Sequence, residues 1–134
     1  MLFTKESDYA IRIVRALKNE EKLTIKDICE KESLPEAFAY KIIKKLSKNG
    51  IVDIKRGANG GYNLRKKLDM LTLYDIVVST EPDFAVMDCI NNFCGRNGHS
   101  GRCRVHKELV SIQKEVESLL KRKTLKDILE SESK

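Results

Sequence analysis

The sequence predicts a mainly α-helical fold with a small β-hairpin: a winged helix-turn-helix followed by a long C-terminal helix. Three observations carry this expectation. Two short helical patterns are separated by a tight connection, and the second is rich in lysine. A glycine-rich turn, Gly57-Ala-Asn-Gly-Gly61, joins two short alternating segments. The C-terminal region carries a single apolar stripe at heptad spacing.

The elements follow in order. Residues 5–18 place Tyr9, Ile13, Val14 and Leu17 at helical spacing, a first amphipathic helix that packs on the rest. Thr24 and Asp27 form a cap-like start for a second helix over about 25–31. Ser33 before Pro35 reads as the start of a third helix, with Ala39, Ile42, Ile43 and Leu46 on one stripe and a left-handed stop at Asn49-Gly50. Ile51–Ile54 and Tyr62–Leu64 read as the two strands of a hairpin wing. Thr72 and Asp75 repeat the cap pattern for a helix ending near Ser79. Periodicity fails from Glu81 to Arg104. It resumes over 105–121, where Val105, Leu109, Ile112, Val116 and Leu119 fall at steps of four, three, four and three. Thr124 and Asp127 cap one more short helix, with fraying expected from Glu130 on. The domain reading is 1–80 for the winged unit, 81–104 for a cysteine-containing loop and 105–134 for a dimerisation helix with its short successor.

The 134 residues are 41% hydrophobic and 34% charged, a globular balance, while 6% aromatics and no Trp imply an aliphatic core. No apolar run approaches the roughly 20 residues that span a bilayer, and Met1 to Ser7 lacks a signal-peptide stretch, so a cytoplasmic location is expected. In a reducing cytosol the four cysteines read as core residues, metal ligands or redox thiols. Cys29, beside Ile25 and Ile28, reads as a small core hydrophobe.

The formal charge of +6 permits a polyanion partner, and its distribution is sharper. From Lys41 to Lys67 stand nine basic residues, Lys41, Lys44, Lys45, Lys48, Lys55, Arg56, Arg65, Lys66 and Lys67, against one acid, Asp53. A nucleic acid is expected there. Lys55 and Arg56 fall at the wing tip, where an arginine suits a narrow minor groove, and glycines such as Gly57 and Gly60 permit close backbone approach to phosphate. No nucleophile, base and orienting group form a recognisable catalytic set, so an enzyme acting on a small-molecule substrate is not expected.

Cys89, Cys94 and Cys103 are separated by residues 90–93 and 95–102, and His106 follows Cys103 by three positions. Thiolates bind soft or borderline metals, three glycines let a loop wrap an inorganic core, and Arg96, Arg102 and Arg104 would favour thiolates. An iron–sulfur cluster, a structural zinc on the three cysteines and His106, and a metal-free thiol switch all fit this spacing. The C-terminal stripe asks for a partner: a second copy or the chain's own domain.

Four strings, Ser7-Asp-Tyr-Ala-Ile-Arg12, Lys48-Asn-Gly-Ile51, Arg56-Gly-Ala-Asn-Gly-Gly-Tyr62 and Thr72-Leu-Tyr-Asp-Ile76, resemble the Rrf-two (Rrf2) family of bacterial transcription regulators over nearly the whole chain. The resemblance implies a homodimer on a pseudo-palindromic double-stranded operator, with Phe38, Tyr40 and Lys41 facing the major groove, Lys44 and Lys45 beside them, and Arg56 in the minor groove. It also implies a cluster on the three loop cysteines that senses iron–sulfur, redox or nitric oxide status. In one branch of the family a histidine at the position of His106 completes a 2Fe-2S site. In another, an acid of the partner's first helix, matched by Asp8, completes a 4Fe-4S site. Two departures stand out: the loop spacing is uneven, which adds His99 as a candidate ligand, and Tyr40 replaces a Glu frequent among cluster regulators. A competing expectation is a zinc-stabilised or thiol-switch module that docks a protein partner through its winged domain.

Overall fold

The computed structural model describes residues 3–19, 22–92 and 103–131. Helix α1 (Lys5–Ala16) begins at Thr4, whose side chain accepts from the Ser7 amide, and carries Glu6 and Asp8 in its first turn, where the helix dipole favours acids. It ends two residues before the sequence expectation. The Leu17 and Lys18 amides bond back to Val14 and Arg15, tightening the last turn.

Helix α2 (Ile25–Glu32) starts with a full capping box, Thr24 and Asp27 each accepting the other's backbone N–H. The Thr24 amide is the main cause that holds the Asp27 carboxyl below its ordinary range. Ser33 corrects the sequence reading. It does not start the next helix but ends α2 in the left-handed conformation, φ 57°, and Pro35 takes the N-cap position of α3 (Glu36–Lys48) without a side-chain bond. One left-handed residue reverses the chain within the three-residue connection, while Leu34 is buried and its amide bonds to the Cys29 carbonyl.

In α3 the predicted stripe of Ala39, Ile42, Ile43 and Leu46 is buried throughout, and Gly50 supplies the left-handed stop, φ 75°. The wing follows as β1 (Val52–Lys55) and β2 (Gly61–Leu64), antiparallel from Val52 opposite Leu64 to Lys55 opposite Gly61. Both strands lie one residue from the expected bounds. Ile51 is the reason for the first shift: its side chain is buried and its carbonyl receives the Arg65 and Lys66 amides, closing the hairpin base. Leu23 adds a short third rung through paired bonds with Tyr62 of 2.9 and 2.7 Å.

Helix α4 (Leu73–Thr80) repeats the capping box at Thr72 and Asp75. A short 3-10 turn at Asp88–Ile90 precedes α5 (Arg104–Lys121) and α6 (Leu125–Ser131), the last capped by Thr124 and Asp127 and extending past Glu130. The core joins α1, α2, α3, α4 and α6: Leu125 and Leu129 are buried with Ile13, Ile42, Leu46 and Ile76. The Leu125 amide bonds to the Leu71 carbonyl at 2.8 Å, so the last helix returns to the winged unit and completes its core. Cys29 is buried among them as expected, and burial pushes its thiol above the ordinary range.

Candidate DNA interface and cysteine site

The outer face of α3 presents Phe38, Tyr40, Lys41 and Lys44 to solvent, while its inner stripe fixes the helix on the core. Exposed large aromatics on a helix already anchored elsewhere need a partner or a reason. Phe38 has a partial one: its ring lies 6.1 Å from that of Tyr9 on α1, in tilted contact. Lys41 and Lys45 are not free cations. Lys41 Nζ lies 2.9 Å from Glu6 Oε1 and Lys45 Nζ 2.8 Å from Glu6 Oε2, and these two lysines, Lys45 first, hold the Glu6 carboxyl below its ordinary range.

At the wing, Lys55, Arg56 and Gly57 are exposed, and Gly57 has φ 103°, which a side chain disfavours. Gly60 serves the hairpin itself: a Cβ there would lie 2.4 Å from the Lys55 carbonyl oxygen and 2.8 Å from that of Gly57. The Lys22 ammonium donates to the Asn59 carbonyl and pins the turn to the segment before α2. The wing is thus tied to the segment that leads into α2 by this contact and by the Leu23–Tyr62 bridge.

The cysteine site is built on α5. Cys103 is the N-cap of that helix, its thiol accepting the His106 N–H at 3.4 Å. Cys89 sits half-buried on the 3-10 turn that packs against the same helix. His106 Nδ1 is buried with no hydrogen-bond partner among the described residues, an orphan that a ligand would satisfy. This donor chemistry fits a thiophilic metal or an iron–sulfur group. Among the described residues no three His, Cys, Asp or Glu side chains gather around one point, and Cys94 and His99 lie outside them.

Asp8 stands apart. It pairs with Arg12 at 3.1 Å and lines an apolar groove with Phe3, Ile11, Leu73, Val77 and Leu120. Leu120 is at the far end of α5 from His106, about 20 Å away at roughly 1.5 Å rise per residue. Within one chain, Asp8 and His106 therefore serve different ends of the helix.

A residue outside the sequence reading holds the loop. Gln113 is buried on α5 and uses both ends of its amide, Nε2 donating to the Phe84 carbonyl at 3.1 Å and Oε1 accepting the Val86 N–H at 2.8 Å. Phe84 also stacks on Phe3 at 5.2 Å. Polar residues give no periodic signal, so nothing in the sequence marked Gln113. Replacing it with Ala strands two backbone groups, and Gln113→Ala is expected to cost about 1–3 kcal/mol, with faster hydrogen exchange at the Val86 amide. Unchanged exchange there would show that the loop is held by other contacts.

The profile of the Rrf2 family, described as an iron-dependent transcriptional regulator, matches residues 3–131. The chain belongs to the Rrf2 family. As an Rrf2 chain it is 33% identical to the HTH-type transcriptional regulator NsrR of Bacillus licheniformis, over 96% of this chain and 92% of that one. It is 37% identical to Protein aau3 of Rhizobium meliloti over 66% of its own length, spanning 59% of that relative. Among solved structures, T. potens IscR superimposes with TM-score 0.71 at 25% identity, covering 96% of this chain and 85% of that one. CymR, the global cysteine regulator of B. subtilis, superimposes with TM-score 0.73 at 22% identity over 94% of each, which supports the winged fold. The protein is therefore an Rrf2-type transcription regulator with a winged helix-turn-helix. No helix among the described residues is long and apolar enough to cross a membrane.

Proposed function

We propose that this Rrf2 regulator binds a pseudo-palindromic operator as a homodimer and reports iron–sulfur, redox or nitric oxide status through a cluster held by Cys89, Cys94 and Cys103. The observation that carries the reading is the His106 ring nitrogen, unpartnered among the described residues, at the start of the helix that Cys103 caps. Cys103 caps the helix, Cys89 packs beside it, and His106 keeps a buried ring nitrogen without a partner among the described residues. Similarity to NsrR and IscR supports it. When bound, an iron–sulfur cluster would supply the group that reacts with oxidants or nitric oxide. The chain's part is to present soft thiolates, with His106 of the same chain or Asp8 of a second copy as fourth ligand, and to tie the loop to α5 through Gln113. In this reading residues 1–80, with α6 completing their core, form the DNA-binding unit, 81–104 the sensing loop, and α5 the dimer helix.

For DNA, Phe38, Tyr40, Lys41 and Lys44 of α3 face the major groove, and Lys55, Arg56 and Gly57 reach the backbone and minor groove. Arg56 is exposed and has no ion pair among the described residues, so Arg56→Ala should leave stability unchanged and weaken operator binding about tenfold, with a shallower salt dependence. Fluorescence anisotropy against salt reads both, and unaltered operator affinity would remove the wing from the interface.

Anaerobic purification with iron, sulfide and zinc quantitation tests the sensor. Iron with sulfide and visible charge-transfer absorption is the expected result. Zinc without sulfide would replace the cluster by a structural metal. Metal-free protein whose DNA affinity changes on oxidation would establish a thiol switch, the second reading, which the free half-buried thiols of Cys89 and Cys103 favour.

A further inference from the structure

The recognition helix carries four lysines, and two of them are already occupied. Glu6 divides its carboxylate between them, one oxygen to Lys41 at 2.9 Å and the other to Lys45 at 2.8 Å. Lys44 and Lys48, on the same helix, have no ion pair among the described residues. A carboxylate offering one oxygen to each of two ammonium groups presents the same acceptors that a DNA phosphate would offer.

Glu6 is held in place for this. It lies in the first turn of α1, and the next residue, Ser7, is fully buried with its hydroxyl 2.8 Å from that of Thr80 and bonded to the Glu81 carboxylate. The Thr4 amide also donates to Glu81 at 3.5 Å. The start of α1 is thereby fastened to the end of α4, while Ala10, Ile13 and Val14 seat the rest of α1 in the core.

We propose that Glu6 is a specificity-determining residue that acts as an intramolecular phosphate mimic, holding Lys41 and Lys45 of the recognition helix against indiscriminate contact with the DNA backbone. The inference rests on the reading of α3 as the DNA-facing helix. Nonspecific binding is almost wholly a matter of cations neutralising phosphates. Any phosphate that recruits Lys41 or Lys45 must displace Glu6. On random duplex nothing compensates that exchange. On an operator, base contacts from the exposed Phe38 and Tyr40 hold the complex while both lysines stay on Glu6, so the competitor weakens nonspecific complexes more than specific ones. Glu6 also relieves the repulsion between two lysines spaced i, i+4 and fixes their heads on the α1 side of the helix.

The test uses the full-length protein and a labelled random-sequence duplex, with affinity followed by anisotropy over a series of KCl concentrations. Glu6→Gln is expected to raise affinity for this duplex by on the order of 3- to 30-fold and to steepen the log–log salt slope by about 1 to 2, because up to two further phosphates are neutralised. In a Lys41→Gln/Lys45→Gln background, Glu6→Gln should change neither quantity. Wild-type binding that Glu6→Gln leaves unaltered overturns the inference. So does an equal gain in the double-glutamine background, which would make Glu6 an ordinary surface charge. Absence of salt-dependent binding by the wild type to any duplex would instead sink the DNA-binding reading on which the inference stands.

Discussion

Replacing Ile112 and Leu119 together by Glu is expected to convert the protein to a monomer and to weaken binding to a two-half-site operator on the order of 100-fold or more. Of the five stripe residues on the long helix, Val105 is 67% exposed, Ile112 40% and Leu119 60%, Leu109 and Val116 are half-buried, and Gln113, one position from Ile112, is buried. The helix therefore docks on its own chain through one face and leaves Val105, Ile112 and Leu119 on another. On the docked side, Gln113 holds the loop and the Lys121 ammonium lies 4.2 Å over the Tyr74 ring. A second copy of α5 is the occupant that the heptad spacing suits. Carboxylates at Ile112 and Leu119 would be desolvated in such an interface and solvated in the monomer, so the fold should survive while association fails. Sedimentation equilibrium reads the mass and thermal unfolding confirms the fold. A variant that stays dimeric would move the interface away from this stripe.

How far the sequence foretold this arrangement depends on the range of the forces involved. The three Thr-x-x-Asp caps, at Thr24, Thr72 and Thr124, act within a single turn, and each was legible and each formed. The buried stripe of α3 and the glycine turn of the wing are likewise local patterns. Ser33 departs from its sequence pattern because the connection it serves is fixed by how α2 packs on α3, whereas a Ser before a Pro in isolation looks like a helix start. The docking of α6 was beyond reach for the same reason, since an amphipathic pattern states that a face is apolar without naming what covers it. The site shows this contrast again. Cys103 and His106 sit together because they are three positions apart at a helix start, whereas the Glu6 contacts to Lys41 and Lys45 join α1 to α3 across the fold.

Cys103 offers the sharpest separation between structural and ligand roles, because the residue that caps α5 is also a proposed ligand. Its thiol caps α5 by accepting the His106 N–H, and serine is a better acceptor at that position than cysteine. A hydroxyl is at the same time a poor ligand for iron in a sulfur-rich site. Cys103→Ser is therefore expected to leave the cluster-free protein as stable as before or up to about 1 kcal/mol more stable, while anaerobically purified protein loses its iron, sulfide and visible absorption. Cys29→Ser supplies the converse. That residue is buried in the core with its thiol pushed up by burial, so a hydroxyl there should lower stability by about 1–3 kcal/mol and leave the cluster content intact. If Cys103→Ser retains a full complement of iron and sulfide, the thiol is only a helix cap. The ligands must then be sought among Cys89, Cys94, the two histidines and Asp8 of a second copy, and α5 keeps the proposed dimer contact and its hold on the loop through Gln113.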